Sequence, residues 1–153
     1  MNNRVCNTPI IREMMPSDVA SIILIEREIF LFPWSPMNFL DSINTGYQCK
    51  ILEQDNIFLG YGVMMIGVEE AHILTIGIAA KCQNQGFGKK LLNYFIQFAK
   101  EQNSKSMILD VRESNLGAAK LYQQVGFKQI AIRKDYYPAM CGREDALVMQ
   151  LML

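Results

Sequence analysis

The sequence predicts a mixed α/β (α+β) domain, a mostly antiparallel twisted sheet flanked by helices, with its elements in the order βααβββαβαββ. Three observations carry that prediction. Short runs with strand character crowd the middle and the end of the chain. Between them lie stretches whose apolar residues recur at helical spacing. One glycine-bearing turn, Gln83 to Gly88, joins a strand directly to a helix.

Thr8 to Met14 reads as a short first strand. Ser17 or Asp18 then caps a helix whose apolar positions Val19, Ile22, Ile23 and Ile29 share one face. Ser35-Pro36 starts a second, short helix to about Ile43, a capping hydroxyl followed by Pro in the first turn. Tyr47 to Leu52, Phe58 to Ile66 and His72 to Ala79 are the next strands, and Asp55-Asn56 suits a hairpin turn between the first two. After the glycine turn, Lys89 to Gln102 carries the helical stripe Leu91, Leu92, Phe95, Phe98 and Ala99. Ser106 to Val111 is a strand. Ser114-Asn115 caps a helix that ends at Val125, where Gly126 can take the left-handed stop conformation. Phe127 to Ile132 and Asp145 to Leu151 complete the sheet.

No repeat, low-complexity tract or linker divides the 153 residues, so a single domain spanning 1–153 is expected. Half of the chain is apolar, enough for a core without metals or disulfides. Fifteen basic residues balance fifteen acidic ones, and this lack of a basic surplus argues against direct nucleic-acid binding. Cys6, Cys49, Cys82 and Cys141 are scattered and His72 is the only histidine, so no metal site is expected. Unpaired cysteines and the absence of an apolar run of about 18 residues point to a cytoplasmic protein with no membrane partner. The ten methionines are dispersed and read as core filler. His72 reads as a structural strand histidine.

The chemistry signal is the segment from Ile76 to Lys89. Glycines at a helix start let backbone approach a ligand, and the unpaired N–H groups there, with the helix dipole, favour a pyrophosphate. Gly77 would let a ligand lie against the strand. Gly86-x-Gly88 lacks the later glycine of a dinucleotide fingerprint, and no P-loop pattern is present. A plain strand–helix connection would also use two glycines.

Gln83-Asn84-Gln85-Gly86-Phe87-Gly88 resembles the Q/RxxGxG/A acetyl-CoA motif of the GNAT acetyltransferases. Leu109-Asp110-Val111-Arg112-Glu113-Ser114-Asn115 and Ala118 through Phe127 resemble that superfamily's LEVRxSN and AxxLYxxxGF segments. Arg133 to Pro138 and Gly142-Arg143-Glu144-Asp145-Ala146 are similar to the RxxYYP and GREDA elements of the bacterial ribosomal-protein-alanine N-acetyltransferases. The likeness covers roughly Phe32 to Met149, Phe32-Pro33-Trp34-Ser35 included.

The resemblance implies a GNAT-like domain using acetyl-CoA as cosubstrate and a protein N-terminus as partner, the N-terminal alanine of a small-subunit ribosomal protein. It implies that the backbone of Ile76, Gly77 and Ile78 flanks the acetyl and pantetheine groups. The N–H groups of Asn84, Gln85, Gly86, Phe87, Gly88 and Lys89 would cradle the pyrophosphate, Asn115 would hydrogen-bond the cofactor, and Tyr122 would stand beside its sulfur. A protein α-amine, with pKa about 7.7 to 8.0, needs only a modest base. The matching position for that base is Asp110, where the related enzymes have Glu; the shorter side chain retracts the carboxylate by roughly 1.5 Å. Glu70 and Glu113 are substitutes, although strand alternation turns Glu113 from Asp110's face. The Ile78 N–H is a candidate oxyanion donor and Tyr122 a candidate acid for the departing thiolate.

Structural alternatives stand beside each role. Tyr122 could simply pack with Ala118, Leu121 and Val125, and Asp110 could end a strand and pair with Arg112 or Arg133. Arg133 to Asp145 reads as an irregular loop whose Tyr136 and Tyr137 contact the incoming peptide and whose Glu144 or Asp145 attracts a basic second residue, or else as a solvated connection. For the whole chain, a small-molecule amine acetyltransferase and a catalytically silent acetyl-CoA-binding module remain the alternatives.

Overall fold

The computed structural model describes residues 7–153, which leaves Cys6 outside the described residues. The elements are β1 (Ile10–Glu13), α1 (Val19–Ile29), α2 (Pro36–Thr45), β2 (Gln48–Gln54), β3 (Ile57–Ile66), β4 (Glu70–Ile78), α3 (Phe87–Glu101), β5 (Ser106–Arg112), α4 (Leu116–Val125), β6 (Lys128–Pro138) and β7 (Arg143–Met152). Short 3-10 turns at Pro16–Asp18 and Ala80–Cys82 precede α1 and follow β4. The order is the one expected from sequence. The strands form one sheet in the order β1-β2-β3-β4-β5-β7-β6. β1–β2, β5–β7 and β6–β7 pair antiparallel and β4–β5 pairs parallel.

By internal contacts the chain divides into two compact units: the described residues up to Val63 with Thr75–Leu91, and Met64–Leu74 with Leu92–Leu153. β3, β4 and α3 contribute residues to both. In the first unit Ile22, Phe39, Ile51, Leu52, Tyr61 and Val63 are wholly buried. Ser35 caps α2 by accepting the Asn38 N–H at 3.2 Å, and Gly46 (φ +87°) ends it in the left-handed conformation. Asp55 and Asn56, at φ 51° and 63°, make the tight β2–β3 turn, the double left-handed geometry that suits a two-residue hairpin.

In the second unit Leu92, Phe95, Met107 and Ala146 are wholly buried, with Leu109 and Met149 nearly so. Asn115 caps α4 through its side chain, accepting the Ala118 N–H at 3.2 Å, and Gly126 (φ +118°) stops it. The segment from Arg133 to Asp145, expected as a loop, is instead the second half of β6, a turn and the start of β7. Two features hid the strand. β6 is the edge of the sheet and almost all of it is exposed, so it carries no burial alternation. Its register on β7 also shifts between Gln129 and Ala131 and between Arg133 and Tyr137, which breaks the period of two.

Candidate active site

The glycine turn works through its backbone. Gly86 (φ +85°) is left-handed, and a Cβ there would meet nothing within 4 Å, so the residue is needed for conformation and opens onto free space. Asn84 (φ 60°) is left-handed as well. The Lys90 N–H closes the first helical bond onto the Gly86 carbonyl at 3.1 Å. The N–H groups of Phe87, Gly88 and Lys89 therefore precede the ladder of α3 and carry its dipole's positive end. Gln83 and Gln85 fold back: their Nε2 groups donate to the carbonyls of Ile78 (3.1 Å) and Lys81 (3.2 Å).

β4 leads into this turn. The Ala79 N–H donates to the Leu59 carbonyl of the β3 side at 2.9 Å, so backbone alternation turns the Ile78 N–H to the other edge. The β4–β5 ladder runs from Glu70↔Ser106 to Ile73↔Leu109, although β4 continues to Ile78 and β5 to Arg112. Ile78 therefore offers an N–H beyond the last registered pair.

Gly77 has a structural requirement that sequence reading missed. A Cβ built there would strike the Tyr61 ring, reaching Cε1 at 2.9 Å and the hydroxyl end closer still. Tyr61 is wholly buried, edge-on to Phe39 at 5.6 Å, and its hydroxyl donates to Glu26 Oε2. Glu26, 2% exposed on α1, accepts the Trp34 N–H on its other oxygen at 2.9 Å. Burial pushes the Glu26 carboxyl up against the pull of those two hydrogen bonds. Burial, then the Glu26 charge, likewise raises the Tyr61 phenol. One signal was available: Glu26 lies four residues after Ile22 and three after Ile23, on the apolar face of α1.

The second unit holds the side-chain chemistry. Asp110 on β5 receives the Arg133 Nε at 3.1 Å on Oδ1 and faces the His72 Nε2 at 3.7 Å across Oδ2. Its hydrogen bond to that carboxylate holds the Arg133 guanidinium more firmly charged. The expected alternative partner Arg112 turns elsewhere. Its Nη1 donates to Glu144 Oε1 at 2.8 Å, and its guanidinium lies 4.5 Å from the Tyr137 ring centre. Glu70 approaches the Ser106 hydroxyl at 3.4 Å, and Glu113 is exposed beyond the end of β5.

Tyr122, on α4, packs beside Phe127 with ring centres 5.9 Å apart. Its hydroxyl makes no hydrogen bond to a described residue, and burial pushes it up to about 12, so it stays protonated at neutral pH. Burial also pushes Tyr137 up to about 12, and the Asp110 charge adds to this, as Tyr122 does more weakly. The tyrosine therefore senses both the expected base and the expected acid. Tyr136 stands edge-on to Tyr137 at 4.9 Å, with Arg133 over its outer face at 5.6 Å.

Glu144 and Asp145 already hold partners. Hydrogen bonds from Arg112 and Ser114 lower the Glu144 carboxyl. The Asp135 N–H at 2.9 Å, then Lys134, lowers Asp145. Asn115 commits its Oδ1 to the α4 cap. Among the described residues no group of three or more His, Cys, Asp or Glu could hold a metal, and no helix is long and apolar enough to cross a membrane.

The model of the acetyltransferase (GNAT) family matches residues 19–127. The chain is 37% identical over 145 residues to the [ribosomal protein bS18]-alanine N-acetyltransferase of Haemophilus ducreyi, covering 94% of this chain and 99% of that protein. It is 31% identical over 141 residues to the protein of the same name in Escherichia coli strain K12, covering 92% and 95%. The crystal structure of the ribosomal-protein-S18-alanine N-acetyltransferase from Escherichia coli matches with a TM-score of 0.88 at 30% identity, over 95% of this chain and 94% of that one.

Proposed function

Because the chain belongs to the acetyltransferase (GNAT) family, we propose that it is an acetyl-CoA-dependent enzyme, a single cytoplasmic domain that acetylates the N-terminal alanine of a small-subunit ribosomal protein. The observation that carries the reading is the open left-handed turn at Gly86, which presents the first amides of α3 to free space. These residues fit a pyrophosphate: the backbone approaches without a side chain in the way, and the helix start supplies donors and a positive dipole. The thioester is the activated acyl group.

The chain's own residues divide the remaining work. Asp110 accepts the proton of the incoming ammonium, a modest demand because an α-amine titrates near 7.7–8.0. The Ile78 N–H would donate to the oxygen on which negative charge develops. Tyr122, protonated at neutral pH with an unengaged hydroxyl, gives its proton to the departing thiolate. Tyr136 and Tyr137 form an aromatic wall for the first residues of the peptide, while Glu144 and Asp145, held by their own partners, give that wall a negative flank.

Thiol release from acetyl-CoA with two matched peptides tests the reading. One begins with free alanine followed by a basic residue; the other has a blocked N-terminus and an internal lysine. Turnover with the first alone is expected. Turnover with the lysine peptide alone overturns the N-terminal assignment, and silence with both, despite acetyl-CoA binding, turns the reading towards a small-amine enzyme or a binding module.

A further inference from the structure

His72 lies on the paired part of β4 beside Ile108, two residues from Asp110, which follows Leu109, the last residue of β5 registered on β4. The His72 Nε2 is 3.7 Å from Asp110 Oδ2, with the side chains 24% and 11% exposed. Among the described residues Asp110 is the one charged group within ion-pair distance of His72. Arg133 on β6 binds the other carboxylate oxygen; Val148, opposite Asp110 on β7, and Met64–Ile66, this unit's part of β3 beside β4, carry no charge. The His72 Nδ1 has no hydrogen-bond partner among the described residues.

We propose that His72 is the second member of a proton relay, taking from Asp110 the proton that the incoming amine gives up. The inference rests on the acetyltransferase reading above. The amine's N–H bond breaks as its proton joins Asp110 Oδ2. That O–H bond then breaks as the proton moves to Nε2, leaving the carboxylate restored and an imidazolium beside it. The imidazolium returns the proton to water, and the neutral amine's lone pair attacks the thioester.

Physical chemistry favours the second transfer. By intrinsic basicity a carboxylate holds a proton taken from an α-amine far less well than an imidazole does, so the second transfer runs downhill. The separation exceeds a hydrogen bond by a few tenths of an ångström, a gap of the kind that closes when substrate binds. His72 acts through Asp110 and is a positioning residue, not one that touches the substrate.

Because His72 is the only histidine, its ring signals in a tag-free protein need no assignment. We expect Asp110→Asn to move those ring signals at a fixed pH, since the group beside Nε2 has changed; unmoved signals overturn the pairing. We expect His72→Ala to lower kcat/KM for the alanine peptide by about 10²-fold, leave the KM for acetyl-CoA unchanged, and alter the acidic limb of the pH–rate profile. Added imidazole should recover part of the rate. Wild-type rate and profile in His72→Ala overturn the relay. If that variant does not fold, the ring signals of Asp110→Asn decide. A wild-type protein that acetylates no peptide refutes the peptide-acetylating reading, while the ring signals still judge the pair.

Discussion

In the glycine turn two glutamines reach back only four and five residues, to Lys81 and Ile78, and satisfy carbonyls so that amides are left over. Around Asp110 the bonds that matter join residues 23 and 32 positions apart, Arg133 to Asp110 and Arg112 to Glu144. The first region offers backbone donors whose value depends on φ, on missing Cβ atoms and on a helix dipole. The second offers hydroxyl, carboxylate and imidazole groups whose value depends on charge and protonation. Substitutions in the turn should therefore act through conformation and cofactor affinity. Substitutions in the cluster should act on the chemical step, with the fold intact.

The sharpest test of that division is Tyr122→Phe. The ring still fills its place beside Phe127, so stability and acetyl-CoA affinity should hold. The proposed proton donor is lost, and kcat/KM should fall on the order of 10²–10⁴-fold. Calorimetric acetyl-CoA binding beside steady-state rates separates the two effects. An equal fall in cofactor affinity would break the comparison, because Tyr122 would then be a packing residue like those of the turn.

Two alanine substitutions sharpen the other side. Gly77→Ala drives a methyl group into the buried Tyr61 side chain, whose hydroxyl is held by Glu26 and whose ring packs T-shaped with Phe39. Overpacking of this kind costs about 1–3 kcal/mol. Gly86→Ala meets no atom within 4 Å but puts a Cβ on a left-handed residue at φ +85°, for about 1–2 kcal/mol. Urea unfolding should rank the first above the second, whereas acetyl-CoA binding should weaken in both. An undisturbed cofactor affinity in Gly86→Ala would show that the turn's backbone does not hold the ligand.

The same contrast explains what could be read in advance. The glycine turn, the Ser35 and Asn115 caps, the Gly126 stop and the Asp55-Asn56 hairpin are local devices, each complete within a few residues, and all stand where the sequence placed them. The far half of β6 escaped notice because an exposed edge strand with two register shifts has no alternation to read. The Arg133 partner of Asp110 could be named only as one of two arginines, since choosing needs the β6–β7 register. His72 looked structural because nothing short of the β4–β5 pairing brings it to Asp110. Gly77 was legible as a necessary glycine but for a different neighbour, because Tyr61 approaches from another strand.

Glu26 carries the comparison to its smallest effect, since it is a buried carboxyl behind the turn where Asp110 is a salt-bridged one in the cluster. Its folded value lies above the ordinary 4.5, raised first by burial. Stability from its protonated form is therefore fully present below that ordinary value and is lost as pH rises through the folded one. Asp18, lowered first by its hydrogen bond from Arg12, has the opposite sign: its contribution is present above the ordinary 3.8 and is lost as pH falls through the folded value. Of these two, only Glu26 acts in the interval from the ordinary 4.5 up through its folded value, where unfolding free energy should decline with pH. Glu26→Gln keeps an oxygen for the Trp34 N–H and lacks the buried charge, so its urea stability should vary less over that interval than the wild type's. An unchanged slope would mean that Tyr61 and Trp34 together solvate the carboxylate as well as water does, and that burial behind the turn imposes no electrostatic penalty there.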